Sequence, residues 1–464
     1  MTTASGSITV GIDIGTTSVK AVAADETGAV VARARVAHRV LSPAPDLLEH
    51  DALQAWCRSP RMALAEVGAT APQVAGVCVA SMVPSLTVVD GRGIPRSPGL
   101  LYGDARGRPA TAAGTSGGPG AMPDAEGFVG WAAREEPGAA GYWPAQAVAN
   151  YALGRVPAID TAMAMSLGGL RRGPGWDEEV LGRLGVSEEQ LPVVVNMGEA
   201  AGEVLGTGAV LAGGTVDALC DQLVSGATEI GDVLVICGAT LVVWAVVPDW
   251  IETEGLWTIP HTVPDRVLIG GPSNAGAIFV DWADNLLGDK APSPAAGPPA
   301  EAESDALRDG DPRRVPVWLP YVRGERAPYH DPSLRASVHD LDMTHDRRAL
   351  LRGAYEASGF VIRHMLDMAG VPARRIVASG GGTRRPGWME AIADATDLPV
   401  DAVAVPEGAA LGAAFMARMA AGLERDIGDA QRWAAVGRRV EPDPRWRGAV
   451  DDRYTRFVDL GTGR

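Results

Sequence analysis

Gly11-Ile-Asp-Ile-Gly-Thr-Thr-Ser-Val-Lys-Ala-Val22 carries the clearest structural signal in this chain of 464 residues. Over Ile8–Ile14, branched apolar residues alternate with smaller or polar ones, a pattern typical of a half-buried strand. A second apolar run follows the polar bend. The glycine at the bend lets the backbone turn closely, so that successive N–H groups can face one anion. The segment therefore predicts a phosphate-binding hairpin.

The bend carries the first candidate nucleotide ligands. Gly15 allows the tight turn, and Lys20, one of only two lysines in the chain, lies just beyond it. Hydroxyl groups suited to phosphate oxygens come from three consecutive residues: Thr16, Thr17 and Ser18. A carboxylate beside a phosphate is repelled unless a divalent cation lies between them, so Asp13 is predicted as a direct or water-mediated Mg²⁺ ligand. An ordinary edge hairpin with a polar turn is the alternative that these residues leave open.

A related layout recurs about 220 residues later in the chain. Residues 232–247 read as two apolar strands around a short bend, and three residues of that bend are predicted nucleotide ligands: Gly238, Ala239 and Thr240. A glycine run also follows a short predicted strand. There, Gly381 and Gly382 allow the backbone to approach adenosine and its phosphates closely, although a simple tight turn fits the same residues. Two such hairpins can hold one nucleotide triphosphate between two lobes.

Composition narrows the classes of partner. Hydrophobic residues make up 46% of the chain and charged residues 21%, as in globular proteins with large cores. A formal charge of −16 argues against nucleic acid or an anionic membrane surface as the main partner. The four cysteines show no CxxC spacing, which favours reduced thiols: Cys57, Cys78, Cys220 and Cys237. Without a signal-peptide pattern or a long apolar span, the chain is expected to be cytoplasmic and not membrane-bound.

The order of elements predicts an α/β fold that does not begin as a Rossmann fold. A turn at residues 25–28 leads into a third strand at residues 30–36, which gives an antiparallel start instead of a βαβ unit. Strands and helices alternate after that point. Two stretches rich in glycine, alanine, serine and proline are predicted as mobile surface loops, at residues 110–124 and 291–312.

These motifs, taken in order, resemble those of the FGGY carbohydrate kinases, and in particular their xylulose-kinase branch. The matching segments are residues 11–18, 100–106, the segment around Asp217, and residues 231–240, 320–326, 380–388 and 407–414. The resemblance implies a two-lobed actin/hexokinase-like fold, in which a ribonuclease-H-like core is duplicated and closes over sugar and MgATP. It implies an N-terminal lobe at residues 1–228, a C-terminal lobe at residues 229–430, and a C-terminal extension at residues 431–464.

The resemblance also assigns a catalytic base. Asp217 lies 21 residues before Gly238, much as the base of the family precedes its phosphate-loop glycine. A carboxylate within reach of a sugar hydroxyl can orient it and accept its proton during phosphoryl transfer. Asp221 lies four residues on and can share a helix face with Asp217, so it is the rival base. A helix cap is the structural alternative for Asp217.

The sugar site is expected around two segments. Asp104 and Arg106 resemble the acid and the arginine of the family's sugar cleft, where a carboxylate and a guanidinium can bracket vicinal hydroxyls; a surface ion pair is the alternative. Val83 and Pro84 stand where xylulose kinases usually have His-Gly, so a hydrogen-bonding imidazole is lost. Ala239 replaces a residue that usually carries a hydroxyl. These departures leave a ketopentose or another small polyol as candidate substrates.

The sequence thus predicts a carbohydrate kinase that uses ATP and Mg²⁺ to phosphorylate a small sugar, with a ketopentose such as xylulose as the leading substrate. A sugar or nucleotide sensor that has lost turnover is the alternative, because Val83, Pro84 and Ala239 depart from the family pattern. A filament-forming actin relative is a third reading, in which Asp217 has no task. A homodimer is expected from similarity to related proteins.

Overall fold

The chain forms two compact units in the computed structural model, which describes residues 7–44, 47–71, 73–102, 104–107, 123–173, 175–288, 307 and 309–462. The first unit comprises Met1–Val224 and Glu407–Trp433, and the second comprises Ser225–Pro406 and Ala434–Arg464. The chain therefore enters the second unit, returns to the first, and ends in the second. The loops expected at residues 110–124 and 291–312 lie largely outside the described residues.

This division differs from the one expected from the sequence. The first boundary follows Val224, not residue 228, and Glu407–Trp433 joins the first unit, although the sequence placed residues 229–430 in one lobe. The segment from Ala434 onward belongs to the second unit. The physical cause of the difference is the helix Gly408–Ala420, whose small residues pack against strands of the first unit.

Sixteen strands in chain order, β1 to β16, belong to the described part of the first unit: Ile8–Ile14, Ser18–Ala24, Val30–Ala37, Val40–Leu41, Glu49–His50, Val74–Ser81, Ser85–Val89, Gly99–Leu101, Gly141–Trp143, Ala158–Asp160, Arg171–Arg172, Gly175–Trp176, Val193–Val195, Ala200–Glu203, Val210–Ala212 and Thr215–Val216. Its α-helices are α1 (Ser59–Gly68), α2 (Pro123–Glu135), α3 (Ala145–Gly154), α4 (Thr161–Met165), α5 (Glu178–Leu184), α6 (Asp217–Ser225) and α10 (Gly408–Ala420). A π-helical stretch at Leu53–Arg58 leads into α1.

The main sheet of the first unit places three strand ends side by side. Strands β3, β2 and β1 form an antiparallel meander, β6 lies parallel to β1, and both β15 and β16 lie parallel to β6. The ends of β1, β6 and β16 are therefore neighbours, and Ser81 of β6 pairs with both Ile14 and Val216. Ligands of open α/β sheets bind beyond the carboxyl ends of such strands.

The second unit repeats this order. Its strands, β17 to β25 in chain order, are Asp232–Cys237, Leu241–Val247, Trp257–Pro260, Val267–Ser273, Val317–Leu319, Ser337–His339, Arg375–Ser379, Val400–Val403 and Val436–Val440. Its helices are α7 (Ala277–Leu287), α8 (Arg347–Ala369), α9 (Pro386–Thr396) and α11 (Arg447–Thr462). Strands β20, β18 and β17 form an antiparallel meander, β23 lies parallel to β17, and β24 lies parallel to β23. The duplicated α/β core expected from the sequence is confirmed.

Strand β1 is buried on both faces, so the prediction of a half-buried strand is wrong. All seven of its residues are buried, because α10 covers the face that carries Thr9 and Gly11. The Thr9 hydroxyl donates to the Ala414 carbonyl over 2.8 Å. A Cβ atom at Gly11 would lie 1.8 Å from the Ala410 carbonyl oxygen. The polar and small positions that suggested a solvent face in fact accommodate a helix backbone.

The same helix contacts α6. A Cβ atom at Gly412 would lie 2.0 Å from the carbonyl oxygen of Cys220. Helix α10 therefore packs on the strand that leads into the first phosphate turn and on the helix that begins with Asp217. Its small residues thus serve two close contacts within the first unit.

Within the part of the chain that the structure describes, no helix combines the length and the apolar character that a membrane span requires. All four cysteines are free thiols, and burial raises the pKa of the Cys78 and Cys220 thiols well above the ordinary value.

We expect Gly412→Ala to destabilise the first unit by about 1–3 kcal/mol, because the added methyl group must displace the backbone of α6. Gly182→Ala is the matched control, since Gly182 also lies in a helix of this unit but an added Cβ meets nothing within 4 Å. The control should be neutral or more stable by about 0.5–1 kcal/mol. Calorimetric melting of both variants measures the difference, and equal midpoints would contradict the packing described here.

Candidate active site

The first phosphate turn lies at the carboxyl end of β1. Gly15 closes it by donating its N–H to the Ser18 carbonyl over 3.1 Å. Asp13 and Lys20 are paired across β1 and β2, and the Lys20 Nζ atom lies 3.1 Å from Asp13 Oδ2. Asp13 is buried, so its carboxylate is held close to the turn by this ion pair.

The three hydroxyl groups of the turn differ in their surroundings. The Thr16 hydroxyl shares a 2.9 Å hydrogen bond with the Tyr102 hydroxyl, and the Ser18 hydroxyl accepts a 3.2 Å hydrogen bond from Arg35 Nε. Thr17 is exposed. The three side chains predicted as phosphate donors are therefore not equivalent, because two already have protein partners.

Asp217 is the first residue of α6 and directly follows β16. It is half-buried, and its Oδ1 accepts a 2.7 Å hydrogen bond from the Ala218 N–H. Burial, followed by the negative charge of Asp13, raises the pKa of Asp217 to about 6, whereas the Ala218 N–H and the charge of Lys20 lower it. The first unit thus brings the predicted metal ligand and the predicted base into electrostatic contact.

The rival base, Asp221, is buried one helical turn further along α6. Its charge acts on Lys20, whose pKa is raised first by Asp13 and further by Asp221 and Glu407. Lys20 therefore stays protonated among three carboxylates. Asp217 differs from Asp221 in being partly open to solvent at the start of the helix.

Val83 and Pro84 follow β6 after Met82, and β6 lies between β1 and β16 in the sheet. Their segment therefore follows the strand that separates the Asp13 strand from the strand leading to Asp217. Val83 is half-buried and packs against the core of the first unit, and Pro84 is buried. This part of the candidate sugar site is apolar.

Asp104 and Arg106 form a buried ion pair, not the surface pair considered from the sequence. Asp104 is fully buried, and its Oδ2 accepts hydrogen bonds from Leu48 N–H over 2.7 Å and from the Arg106 guanidinium over 2.7 Å. Arg106 also donates to Glu49 Oε2 over 2.5 Å, and its guanidinium lies 5.3 Å from the ring centroid of Trp131. Asp104 therefore orients Arg106, which is the more accessible of the two.

The second unit carries its own turn, between β17 and β18. The Gly238 N–H donates to the Thr240 carbonyl over 3.1 Å. The carbonyl oxygens of Gly238 and Ala239 accept hydrogen bonds of 3.0 Å each from the Ala277 and Ile278 N–H groups at the start of α7. The N-terminus of α7 thus holds the turn by donating hydrogen bonds to the carbonyl groups of the turn.

The glycine run lies beside that turn, because β23 is parallel to β17 and Ser379 pairs with Ile236. A Cβ atom at Gly382 would lie 2.4 Å from the Trp388 ring and 2.8 Å from Cys237 Cβ, so this glycine is required by packing. Gly381 is exposed, and an added Cβ would meet nothing within 4 Å. Of the two predicted adenosine ligands, Gly381 is the one open to a ligand.

The acidic residue of the segment at residues 320–326 is internal to the second unit. Glu325 is buried and accepts a 2.7 Å hydrogen bond from the Ser273 hydroxyl and a 2.8 Å hydrogen bond from the Asn274 N–H. Burial raises its pKa to about 7. These contacts join the segment to the end of β20.

Sequence reasoning missed four residues that hold the first site in place: Gln146, His38, His50 and Trp56. Gln146 Nε2 donates to the Ser81 carbonyl over 3.1 Å and to the Thr215 carbonyl over 3.0 Å, and so ties the ends of β6 and β16 together. The two histidine rings contact the phosphate turn. No spacing rule marks Gln146, His38 or His50, because their partners are backbone carbonyls distant in sequence, and Trp56 acts through the His50 ring.

Asp13 is the residue that the sequence predicts as a metal ligand. Among the described residues, no group of three or more histidine, cysteine, aspartate or glutamate side chains is placed to hold a metal ion. Mg²⁺ is commonly bound by one or two carboxylates with phosphate oxygens and waters, and Asp13 can supply a carboxylate.

Known proteins resemble this chain over its whole length. The xylulose kinase of Streptomyces rubiginosus is 28% identical over 521 residues, which cover 100% of both chains. The glycerol kinase of Pseudarthrobacter chlorophenolicus is 25% identical over 481 residues, which cover 93% of both chains. The crystal structure of xylulose kinase from Rhodospirillum rubrum superposes with a TM-score of 0.75 at 26% identity and covers 98% of both chains.

Family descriptions match both parts of the chain. Residues 8–111 match the N-terminal domain of the FGGY family of carbohydrate kinases, and residues 233–421 match the C-terminal domain of the same family. The fold, the two turns and these matches agree, and we conclude that the chain belongs to the FGGY family of carbohydrate kinases and is an ATP-dependent sugar kinase.

Proposed function

We propose that this kinase transfers the terminal phosphoryl group of ATP to a hydroxyl group of a ketopentose such as xylulose, with Asp217 as the general base. The observation that carries the proposal is the environment of Asp217. This carboxylate follows a parallel strand, is partly open to solvent, and has a pKa raised to about 6 by burial and by Asp13. Similarity to xylulose kinases supports the choice of substrate.

A sugar hydroxyl is a weak nucleophile near neutral pH. In the proposed step, the hydroxyl oxygen forms a bond to the terminal phosphorus, the bond between that phosphorus and the bridging oxygen to ADP breaks, and the hydroxyl proton passes to Asp217. A carboxylate with a pKa of about 6 is ionised at pH 7 and is still a stronger base than an ordinary aspartate. Positioning and charge stabilisation supply the rest of the rate.

Nucleotide phosphates are assigned to the two turns. In the first unit, Gly15, Thr17 and the backbone N–H groups would face the phosphates, and Lys20 would add positive charge. In the second unit, Gly238, Ala239 and Thr240 supply a turn of the same kind, and Gly381 offers open backbone for adenosine. Mg²⁺ beside Asp13 would neutralise phosphate charge when bound.

The proposed sugar site has fewer hydrogen-bonding side chains than the several hydroxyl groups of a pentose could use. Arg106, oriented by Asp104 and Glu49, is the charged group that would bind hydroxyls in this proposal, whereas Val83 and Pro84 would give an apolar wall. A wall without hydrogen-bonding groups discriminates weakly between substrates with and without a hydroxyl at that position. Similarity to glycerol kinases keeps a smaller polyol as the second candidate substrate.

A sugar or nucleotide sensor without turnover is the competing proposal, motivated by the apolar Val83 and Pro84 and by Ala239. Both proposals require binding of sugar and nucleotide. Only the kinase releases ADP in proportion to sugar phosphate formed.

We expect a screen of ketopentoses, ketohexoses and small polyols with ATP and Mg²⁺ to show sugar-dependent release of ADP, with a ketopentose giving the highest kcat/KM. Coupled detection of ADP, with each sugar omitted in turn, measures this. Binding of sugar and nucleotide with no sugar that stimulates ADP release would favour the sensor, and a polyol as the best substrate would reassign the acceptor.

We expect Asp217→Asn to lower kcat by about 10²–10⁴-fold, because the variant cannot accept the hydroxyl proton, while nucleotide affinity stays near that of the unchanged protein. Asp221→Asn, one helical turn away, is the comparison and should lose less than about tenfold. Steady-state kinetics and calorimetric nucleotide binding check both variants. The reverse order of effects would assign the base to Asp221.

The pH dependence should follow the raised pKa of Asp217. The base must be ionised, so kcat/KM is expected to fall tenfold per pH unit below about pH 6 and to level off above it. The acid limb of the kcat/KM profile reports the pKa of the base in the free enzyme. A limb near pH 4, the ordinary range for aspartate, would show that Asp217 does not govern the rate.

A further inference from the structure

The first phosphate turn is held from behind by two imidazole rings. His50 Nε2 lies 2.7 Å from the Thr16 carbonyl oxygen, and His38 Nε2 lies 3.0 Å from the Gly15 carbonyl oxygen. The two rings meet edge to face, with centroids 4.5 Å apart. The backbone N–H of His38 also donates to the Thr17 carbonyl over 3.0 Å. Three consecutive carbonyl groups of the turn are therefore anchored on one side.

The tautomer of His50 follows from its second contact. The indole N–H of Trp56 donates to His50 Nδ1 over 2.9 Å, so Nδ1 carries no proton and Nε2 must donate to Thr16. His50 and Trp56 are both fully buried. Burial, followed by the neighbouring His38, lowers the pKa of His50 to about 4, which keeps the ring neutral. The Trp56–His50 pair is a fixed donor aimed at the turn.

Anchored carbonyls orient the opposite edges of their peptides. A trans peptide unit is planar, and its C=O and N–H groups point in opposite directions. The carbonyls of Gly15 and Thr16 point at the imidazoles, so the N–H groups of Thr16 and Thr17 point away from them. Among the described residues, neither N–H group has a backbone carbonyl as its acceptor. Thr16 is buried, and a buried N–H group without a partner is rare.

We propose that His50, fixed by Trp56, and His38 are positioning residues that turn the Thr16 and Thr17 N–H groups toward the nucleotide phosphate. This inference rests on the proposed nucleotide role of the turn. The second unit offers a parallel, since there the Ala277 and Ile278 N–H groups hold the carbonyls of Gly238 and Ala239. The carbonyl groups of the turn are thus held by a helix N-terminus in the second unit and by two imidazole rings in the first.

The test compares nucleotide affinity in three variants of the full chain. His50→Leu removes the donor to Thr16, and His50→Gln restores an N–H donor at a similar reach. His261→Leu is the matched control, because His261 is also buried, contacts the Ala227 carbonyl through Nε2 over 3.1 Å, and accepts from the Val263 N–H at Nδ1 over 2.8 Å, but lies in the second unit. Calorimetry with the β,γ-imido analogue of ATP and Mg²⁺, without sugar, measures the Kd.

We expect His50→Leu to raise the Kd at least about tenfold, because hydrogen bonds to a charged phosphate are strong and depend on alignment. His50→Gln should recover most of the lost affinity. The Kd of His261→Leu should stay within about twofold of the wild-type value, even if its melting temperature falls as much as that of His50→Leu. In kinetic assays, the KM for ATP should rise while the KM for sugar stays constant.

Unchanged affinity in His50→Leu, no recovery in His50→Gln, or an equal loss in His261→Leu would overturn the inference. If His50→Leu does not fold, His38→Phe decides: it keeps a ring beside His50 but removes the donor to Gly15, and an unchanged Kd would overturn the inference. Failure of the proposed function looks different, since wild-type chain that binds the analogue but transfers no phosphoryl group leaves the affinity comparison intact.

Discussion

The close approach of helix α10 to strand β1 and helix α6 holds the candidate site of the first unit in place. Gly11 admits the helix backbone against β1, and Gly412 admits the α6 backbone against the helix. Asp13 belongs to β1 and Asp217 begins α6. Because α10 packs on both elements, it helps to fix the positions of the two carboxylates relative to each other. Interiors packed at this density transmit small shifts, so a methyl group added at either glycine is expected to displace the carboxylates of the site.

The charged groups that this packing brings together, Asp13, Lys20 and Asp217, act on one another electrostatically. Asp13 pairs with Lys20. Burial and then the charge of Asp13 raise the pKa of Asp217, while Lys20 limits that rise. A base for a sugar hydroxyl must be ionised at neutral pH yet stronger than an exposed aspartate, and two carboxylates near one lysine satisfy both conditions. In the proposed mechanism, Lys20 would also add positive charge beside the phosphate, so that the site would combine a proton acceptor with the charge that phosphoryl transfer requires.

Sequence patterns predicted those features of the site that depend on residues close together in the sequence. The alternating strands and the Gly-Thr-Thr-Ser bend predicted the hairpin, and the resemblance to the FGGY family implied the duplicated core. Contacts between distant residues were beyond such patterns. Nothing near residues 407–433 indicates that they return to the first unit, Asp104 could not be recognised as the residue that orients Arg106, and His50 acts on a carbonyl 34 positions away. Half-burial of β1 was mistaken because a helix covers its small residues.

The most direct test is a crystal structure of the chain with its best sugar substrate and a non-hydrolysable ATP analogue bound. A carboxylate oxygen of Asp217 should lie about 2.6–3.2 Å from the hydroxyl group that is phosphorylated in solution. If that hydroxyl group instead contacts Asp221, or no carboxylate at all, Asp217 is not the base and the proposed mechanism is wrong.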